Sequence, residues 1–147
     1  RYPALRGVVF DLATVTPIAR SYVEKSGLQG RIGIQSGDFF NDPLPPADLY
    51  SVGRILHDWS EDKVRFLLRK ICEHLPSGGG LLICERLLNE ERDGPVSAYL
   101  QSLNMLLCTE GKERSPSEYE SLARTAGFSS FQFRRTGQPV DVMLAVK

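Results

Sequence analysis

Short apolar runs that end in an acid, set between amphipathic helical stretches, constrain this chain more than any other feature. Gly7-Val8-Val9-Phe10-Asp11-Leu12 is the first such run and reads as a buried strand. Leu81-Leu82-Ile83-Cys84-Glu85 repeats the form. Residues 31–36 alternate weakly and residues 47–52 supply a third strand between them. Thr16-Pro17 reads as an N-cap with Pro at the first helical position. That helix reaches about Lys25 and Gly27 stops it. Residues 60–75 give the clearest helix, capped by Ser60, with Glu61 and Asp62 in a first turn that favours negative charge. Its apolar face is Val64, Leu67, Leu68, Ile71 and Leu75. Residues 95–108 predict another apolar-faced helix through Val96, Leu100, Leu103 and Leu107, opened by Pro95. Ser115-Pro116-Ser117-Glu118 is a capping box, and Gly127 closes the helix it opens. Residues 128–135 and 140–146 alternate around Thr136-Gly137-Gln138-Pro139, the pattern of a hairpin. Strands alternating with helices imply an α/β fold, a parallel sheet covered on both faces and closed here by an antiparallel hairpin.

Composition narrows the function classes. The 147 residues amount to one domain or part of one. Eighteen Lys and Arg balance eighteen Asp and Glu, which argues against a general nucleic-acid binder. No apolar run approaches the ~20 residues of a membrane helix, and no signal peptide opens the chain. Cys72, Cys84 and Cys108 lie far apart with no C-x-x-C pair, so neither a metal cage nor a disulfide framework is expected. Only two histidines are present, too few for a multi-histidine metal centre. A reducing, cytoplasmic setting fits, with no nucleic-acid or membrane partner and no metal.

The acids and His57 fall where α/β folds bind ligands, outside the carboxyl ends of the strands. A carboxylate ending a strand at Asp11 accepts from two ribose hydroxyls; the alternative is a capping or loop carboxylate. Asp38-Phe39-Phe40 joins an acceptor to two aromatic faces and suits a purine; the alternative is a loop whose rings plug the core. His57, in Ile55-Leu56-His57-Asp58-Trp59, stands at a strand-to-helix junction and titrates near neutrality. It is either a proton acceptor or a cap of the following helix. His74, near the end of helix 60–75, suits the negative helix terminus. Glu85 belongs at the same edge as His57, where a carboxylate fixes an imidazole tautomer. Glu113 sits in a Lys-Glu-Arg run and by pattern alone reads better as a surface charge.

Together these motifs resemble the class I S-adenosylmethionine-dependent O-methyltransferases of small molecules, in particular the acetylserotonin (hydroxyindole) O-methyltransferase family and its acetylserotonin O-methyltransferase-like branch. The residues that carry the resemblance run the length of the chain. They are Val8-Val9-Phe10-Asp11-Leu12, Gly37-Asp38-Phe39-Phe40, Arg54-Ile55-Leu56-His57-Asp58-Trp59 and Pro76-Ser77-Gly78-Gly79-Gly80, then Ser102-Leu103-Asn104-Met105-Leu106, Glu110-Gly111-Lys112-Glu113-Arg114 and Ala126-Gly127-Phe128. The resemblance implies a Rossmann-like sheet and S-adenosyl-L-methionine as cofactor, leaving S-adenosyl-L-homocysteine as product. It implies a small hydroxylated, aromatic acceptor and a homodimer. Asp11 and Leu12, Asp38, Phe39, Phe40 and Arg54 would bind the cofactor. His57 would be the general base, flanked by Glu85 and Glu113. Asp58, Asn104 and Cys108 would face the acceptor.

Two departures qualify it. The family's first strand and glycine-rich loop should precede Arg1, so the chain is expected to be the C-terminal part of such a domain. No Gly run replaces that loop: Gly78-Gly79-Gly80 follows a helix and leads into a strand, the reverse of the order required. Cys108 stands where acetylserotonin enzymes have Gln, and a thiol does not read polar groups as an amide does, which leaves the acceptor open. The alternative function is a methyltransferase-like binding or dimerisation module with weak or no turnover. A nicotinamide-dependent oxidoreductase would account for Asp11 but not for the terminal hairpin or the His-Asp-Trp segment.

Overall fold

A computed structural model of the chain describes residues 2–147. It resolves into two units, one ending at Pro46 and one spanning Ala47–Lys147. In the first, β1 (Gly7–Asp11) and β2 (Ile32–Ser36) pair in parallel, joined by α1 (Thr16–Lys25). Asp11 lies opposite Ser36, so both strands deliver their next residues to one carboxyl edge. β1 is not the buried strand its composition predicts, because Val8 is 53% exposed and Leu12 beyond it is exposed too. Within this unit only α1 packs on the strand pair, and one helix cannot cover both faces. Thr16 also differs from expectation. It is the first helical residue rather than the cap, and its hydroxyl bonds Ala13 O and pairs with Ser36 Oγ.

The second unit holds a four-stranded mixed sheet in the order β3-β4-β6-β5. β3 (Leu49–Gly53) runs parallel to β4 (Gly80–Glu85). β6 (Asp141–Val146) runs antiparallel to both β4 and β5 (Ser130–Arg134), which is the predicted hairpin. α2 (Glu61–His74) buries Val64, Leu67, Leu68 and Ile71, the face its periodicity announces. It packs against α4 (Pro116–Ala126). Ser60 occupies the N-cap position of α2, but its hydroxyl makes no capping bond. His74 Nδ1 lies 2.8 Å from Lys70 O, at the helix terminus. At α4 both halves of the Ser115–Glu118 capping box are formed, and Gly127 closes the helix at φ 110°, a conformation side chains with a Cβ rarely adopt.

α3 (Val96–Cys108) presents the opposite face from the one expected. Val96, Leu100, Leu103 and Leu107 are exposed, Leu107 by 79%. The helix instead buries Ala98 and Met105, seven residues apart on one stripe. Ser102 lies on that stripe, and a small residue and a polar one disguise it in a hydrophobic pattern. The stripe packs on the 3₁₀ turn Leu56–Asp58, which carries His57.

Candidate active site

Gly53 lies opposite Cys84, so β3 and β4 end together, with Arg54 following β3 and Glu85 the last residue of β4 at the same edge. Arg54 turns the chain sharply, with φ at 56° and its N–H on Cys84 O at 2.9 Å. A side-chain-bearing residue held in that region stores ~1–3 kcal/mol of strain. The next two N–H groups, of Ile55 and Leu56, donate to Glu85 Oε1 at 3.0 and 2.9 Å. Glu85 therefore fixes the turn that presents His57, in addition to facing its ring.

His57 is 2% exposed. Its Nδ1 lies 2.8 Å from Glu113 Oε1 and 3.3 Å from Glu85 Oε2, and its Nε2 lies 3.5 Å from Asp58 Oδ1. A carboxylate only accepts, so in the neutral ring Nδ1 carries the proton and Nε2 keeps a lone pair. Burial opposes charge on the imidazole. The Glu113 hydrogen bond and the charges of Glu85, Glu113 and Asp58 outweigh it, and the pKa of His57 is raised. Glu85 is pushed up to about 7, first by burial, with His57 opposing, Glu113 adding to the rise and the two backbone hydrogen bonds lowering it. One oxygen of each carboxylate, Glu85 Oε2 and Glu113 Oε2, has no hydrogen-bond partner. Donor atoms of His57, Glu85 and Glu113 lie within 4.8 Å of one another, a spacing that would also admit a cation. The Nδ1–Oε1 distance is that of a hydrogen bond, and a bonded Nδ1–H is not a ligand.

The Lys-Glu-Arg run is where the surface reading fails. Glu113 is 1% exposed and Arg114 2%; only Lys112 points outward. Gly111 lets this loop press on the His57 turn, since a Cβ there would stand 2.0 Å from His57 O and 2.7 Å from Asp58 C. Ser102 Oγ accepts the Glu113 N–H at 3.2 Å. Arg114 donates to Leu56 O at 3.1 Å and to Trp59 O at 3.3 Å, on either side of His57. Arg114, Gly111, Ser102 and the buried Tyr119 were not singled out individually in the sequence. The one signal for the first two was their place in the Gly-Lys-Glu-Arg motif.

The remaining candidates fall into two groups. Asp58 is partly exposed beside His57, and Asn104 and Cys108 lie one turn apart on the exposed side of α3, the thiol donating to Asn104 Oδ1 at 3.7 Å. In the first unit, Asp11 Oδ1 accepts its neighbour Leu12 N–H at 2.7 Å, and Gly37 N–H donates to Asp11 O at 2.9 Å. A Cβ at Gly37 would stand 2.4 Å from the Phe10 ring, so any larger residue there would displace that ring. Asp38 orders the following loop, accepting from Phe40 N at 2.8 Å and Asn41 Nδ2 at 2.7 Å. Phe39 and Phe40 meet edge to face at 4.7 Å and stay partly exposed, so they do not plug the core. A separate cleft of about 500 Å³, lined by Arg86, Asn89, Arg135 and Gln138 among others, contains none of these candidates.

Residues 1–129 match the profile of the O-methyltransferase domain. The chain belongs to that family. Human acetylserotonin O-methyltransferase is 46% identical over 146 residues, covering 99% of this chain and 42% of the human protein. The human protein named "Probable bifunctional dTTP/UTP pyrophosphatase/methyltransferase protein" is 44% identical over 146 residues, covering 99% of this chain and 24% of that one. The crystal structure of human N-acetylserotonin methyltransferase in complex with SAM superposes with a TM-score of 0.92, over 99% of this chain and 41% of that one. An O-methyltransferase family 2 protein from Planctomyces limnophilus, in complex with apigenin, gives 0.94 at 35% identity, over 99% and 44%. The chain thus spans less than half the length of these relatives, and its α/β elements with the closing hairpin match part of those structures.

Proposed function

We propose that the protein transfers a methyl group from S-adenosyl-L-methionine to a hydroxyl of a small aromatic acceptor, with His57 as general base. The observation that carries this reading is the buried imidazole with Nδ1 2.8 Å from Glu113 Oε1, an arrangement that in the neutral ring leaves Nε2 to take a proton. When bound, the cofactor supplies an electrophilic methyl on a sulfonium. The attacking hydroxyl loses its proton to His57 Nε2 as the oxygen–methyl bond forms and the sulfur–methyl bond breaks, leaving S-adenosyl-L-homocysteine. No metal is needed where a side chain takes that proton. Alignment of the reactants contributes ~7–11 kcal/mol and the base a further ~10²–10⁴-fold.

The carboxyl edge of the first unit suits the nucleoside half. Asp11 Oδ2 has no partner among the described residues and is available to a ribose hydroxyl; Asp38, Phe39 and Phe40 supply an acceptor and ring faces for adenine. Leu12 and Arg54 belong to the cofactor set by the resemblance alone. Asp58, Asn104 and Cys108 would meet the acceptor, and Cys108, offering a thiol where acetylserotonin enzymes carry an amide, argues for a different acceptor. The same residue supports the second reading, a methyltransferase-like module that binds without turnover. Homodimerisation, a cytoplasmic location, the absence of nucleic-acid and membrane partners, and a place at the C-terminal end of a longer domain complete the proposal.

The test is calorimetric titration of S-adenosyl-L-homocysteine into the intact protein. Binding that is lost in Asp11→Ala establishes the cofactor site; no binding by a folded protein refutes the reading.

A further inference from the structure

Arg114 is one of the largest side chains buried in the protein, at 2% exposure, and it forms no ion pair within 4 Å among the described residues. A buried guanidinium without a paired carboxylate is costly, so its surroundings must compensate it. Three carbonyls do so in part, those of Leu56, Lys112 and Trp59, and its Cζ sits 5.7 Å from the centroid of the Tyr119 ring. Leu56 and Trp59 bracket His57. Glu113 and Arg114 thus divide one task between adjacent residues: Glu113 holds the ring, and Arg114 holds the backbone on both sides of it.

Charge supplies the rest of the compensation. Tyr119 is fully buried on α4 and feels Glu85, Arg114 and Glu113 together, which places all three in one buried region. Arg114 Nε and one oxygen of each carboxylate lack hydrogen-bond partners there. The groups that raise His57 are Asp58 from its own turn, Glu85 from β4 and Glu113 from the loop before α4; Arg114 follows Glu113 in that loop, and Tyr119 stands on α4. α3 adds only the uncharged Ser102. With His57 neutral, the two carboxylates and Arg114 leave one buried negative charge; with His57 protonated they leave none. Without Arg114 the carboxylates alone would face the imidazole.

The geometry points to Arg114 as a positioning residue for His57: it clamps the turn through Leu56 O and Trp59 O, and its charge offsets part of the negative field that Glu85 and Glu113 place on the imidazole. This rests on His57 acting as the base, and it deepens that reading by naming what sets the protonation state.

The test compares Arg114→Met and Arg114→Lys with wild type in the intact protein. One readout, the His57 titration followed by imidazole NMR, needs no turnover; the other is the pH profile of kcat/KM. Circular dichroism reports folding. Arg114→Met should raise the His57 midpoint by a unit or more and carry the acid limb of the profile with it. Arg114→Lys should restore the midpoint to within half a unit yet leave kcat at least tenfold low, because an ammonium lacks the fork that spans both carbonyls. An unchanged midpoint in folded Arg114→Met, with activity falling equally at all pH, overturns the proposal. If Arg114→Met does not fold, wild-type kcat in Arg114→Lys overturns the clamp, and a tenfold loss with the midpoint held supports it. A wild-type protein that fails to bind S-adenosyl-L-homocysteine refutes the proposed function instead, and leaves the titration comparison intact.

Discussion

Replacing Glu85 with Gln isolates the energetic consequence of burying an acid beneath His57. Gln keeps an Oε1 for the Ile55 and Leu56 N–H groups, so the turn retains its anchor, but it cannot ionise. The Glu85 carboxyl is raised from 4.5 to about 7 in the folded protein. Between those values the folded state holds a proton that the unfolded state has released, so stability falls as pH rises from about 4.5 to about 7 and stays reduced above it. At 1.36 kcal/mol per unit, the penalty at pH 8 is about 3 kcal/mol. His57 slopes the same way: its raised pKa stabilises fully below the ordinary histidine value, and that contribution fades as pH rises through the folded value. Glu85→Gln removes the first slope and weakens the second, since the Glu85 charge is one of the influences raising His57. Melting temperatures of wild type and variant at matched ionic strength should differ little near pH 5. By pH 8 the variant should melt several degrees higher. A difference constant from pH 5 to 8 would refute the assignment of Glu85 as a buried, raised carboxyl.

His57→Gln should abolish methyl transfer while leaving S-adenosyl-L-homocysteine affinity within a few-fold by calorimetry; equal loss of both would mean a structural His57. Gly111→Ala should cut kcat at least tenfold and lower the melting temperature, because its Cβ meets backbone, which cannot swing aside, at His57 O and Asp58 C. Wild-type kinetics in that variant would show that the 109–113 loop does not seat the His57 turn.

What was legible in the sequence followed strong local signals. The capping box at Ser115, the face of α2 and the hairpin all appear as read, because each is decided by neighbours three or four residues away or by strict alternation. The failures share a different cause. Glu113 reads as surface because its flanking charges do, yet its side chain turns inward together with that of Arg114 while Lys112 points out. α3 reads with the wrong face because Ala98 and Ser102, the residues against the His57 turn, carry little hydrophobic signal. β1 reads as buried because apolar content does not say how many layers cover a strand. Arg114 is marked only by its place in the Gly-Lys-Glu-Arg motif: a buried arginine bonding backbone carbonyls from 55 and 58 residues earlier leaves no trace in hydrophobic periodicity.

The proton inventory of the cluster explains why these contacts are long-range. A base that must be neutral before the reaction and charged after it needs a site whose field favours the second state without forcing it in advance. Glu113 and Glu85 alone would force it, placing two buried negative charges at Nδ1. Two features reduce the field. Glu85 commits Oε1 to the backbone and takes up a proton near neutrality, and Arg114 brings a fixed positive charge from the residue next to Glu113. His57 and Glu85 therefore titrate as a coupled pair, and an acid limb in the pH–rate profile belongs to the pair rather than to either residue. Removing the Arg114 charge and removing the Glu85 charge should therefore move that limb in opposite directions. Loss of the Arg114 charge shifts it to higher pH, and loss of the Glu85 charge shifts it to lower pH. Arg114→Met combined with Glu85→Gln should return the limb toward its wild-type position, and two shifts in the same direction would show that charge balance does not govern this imidazole.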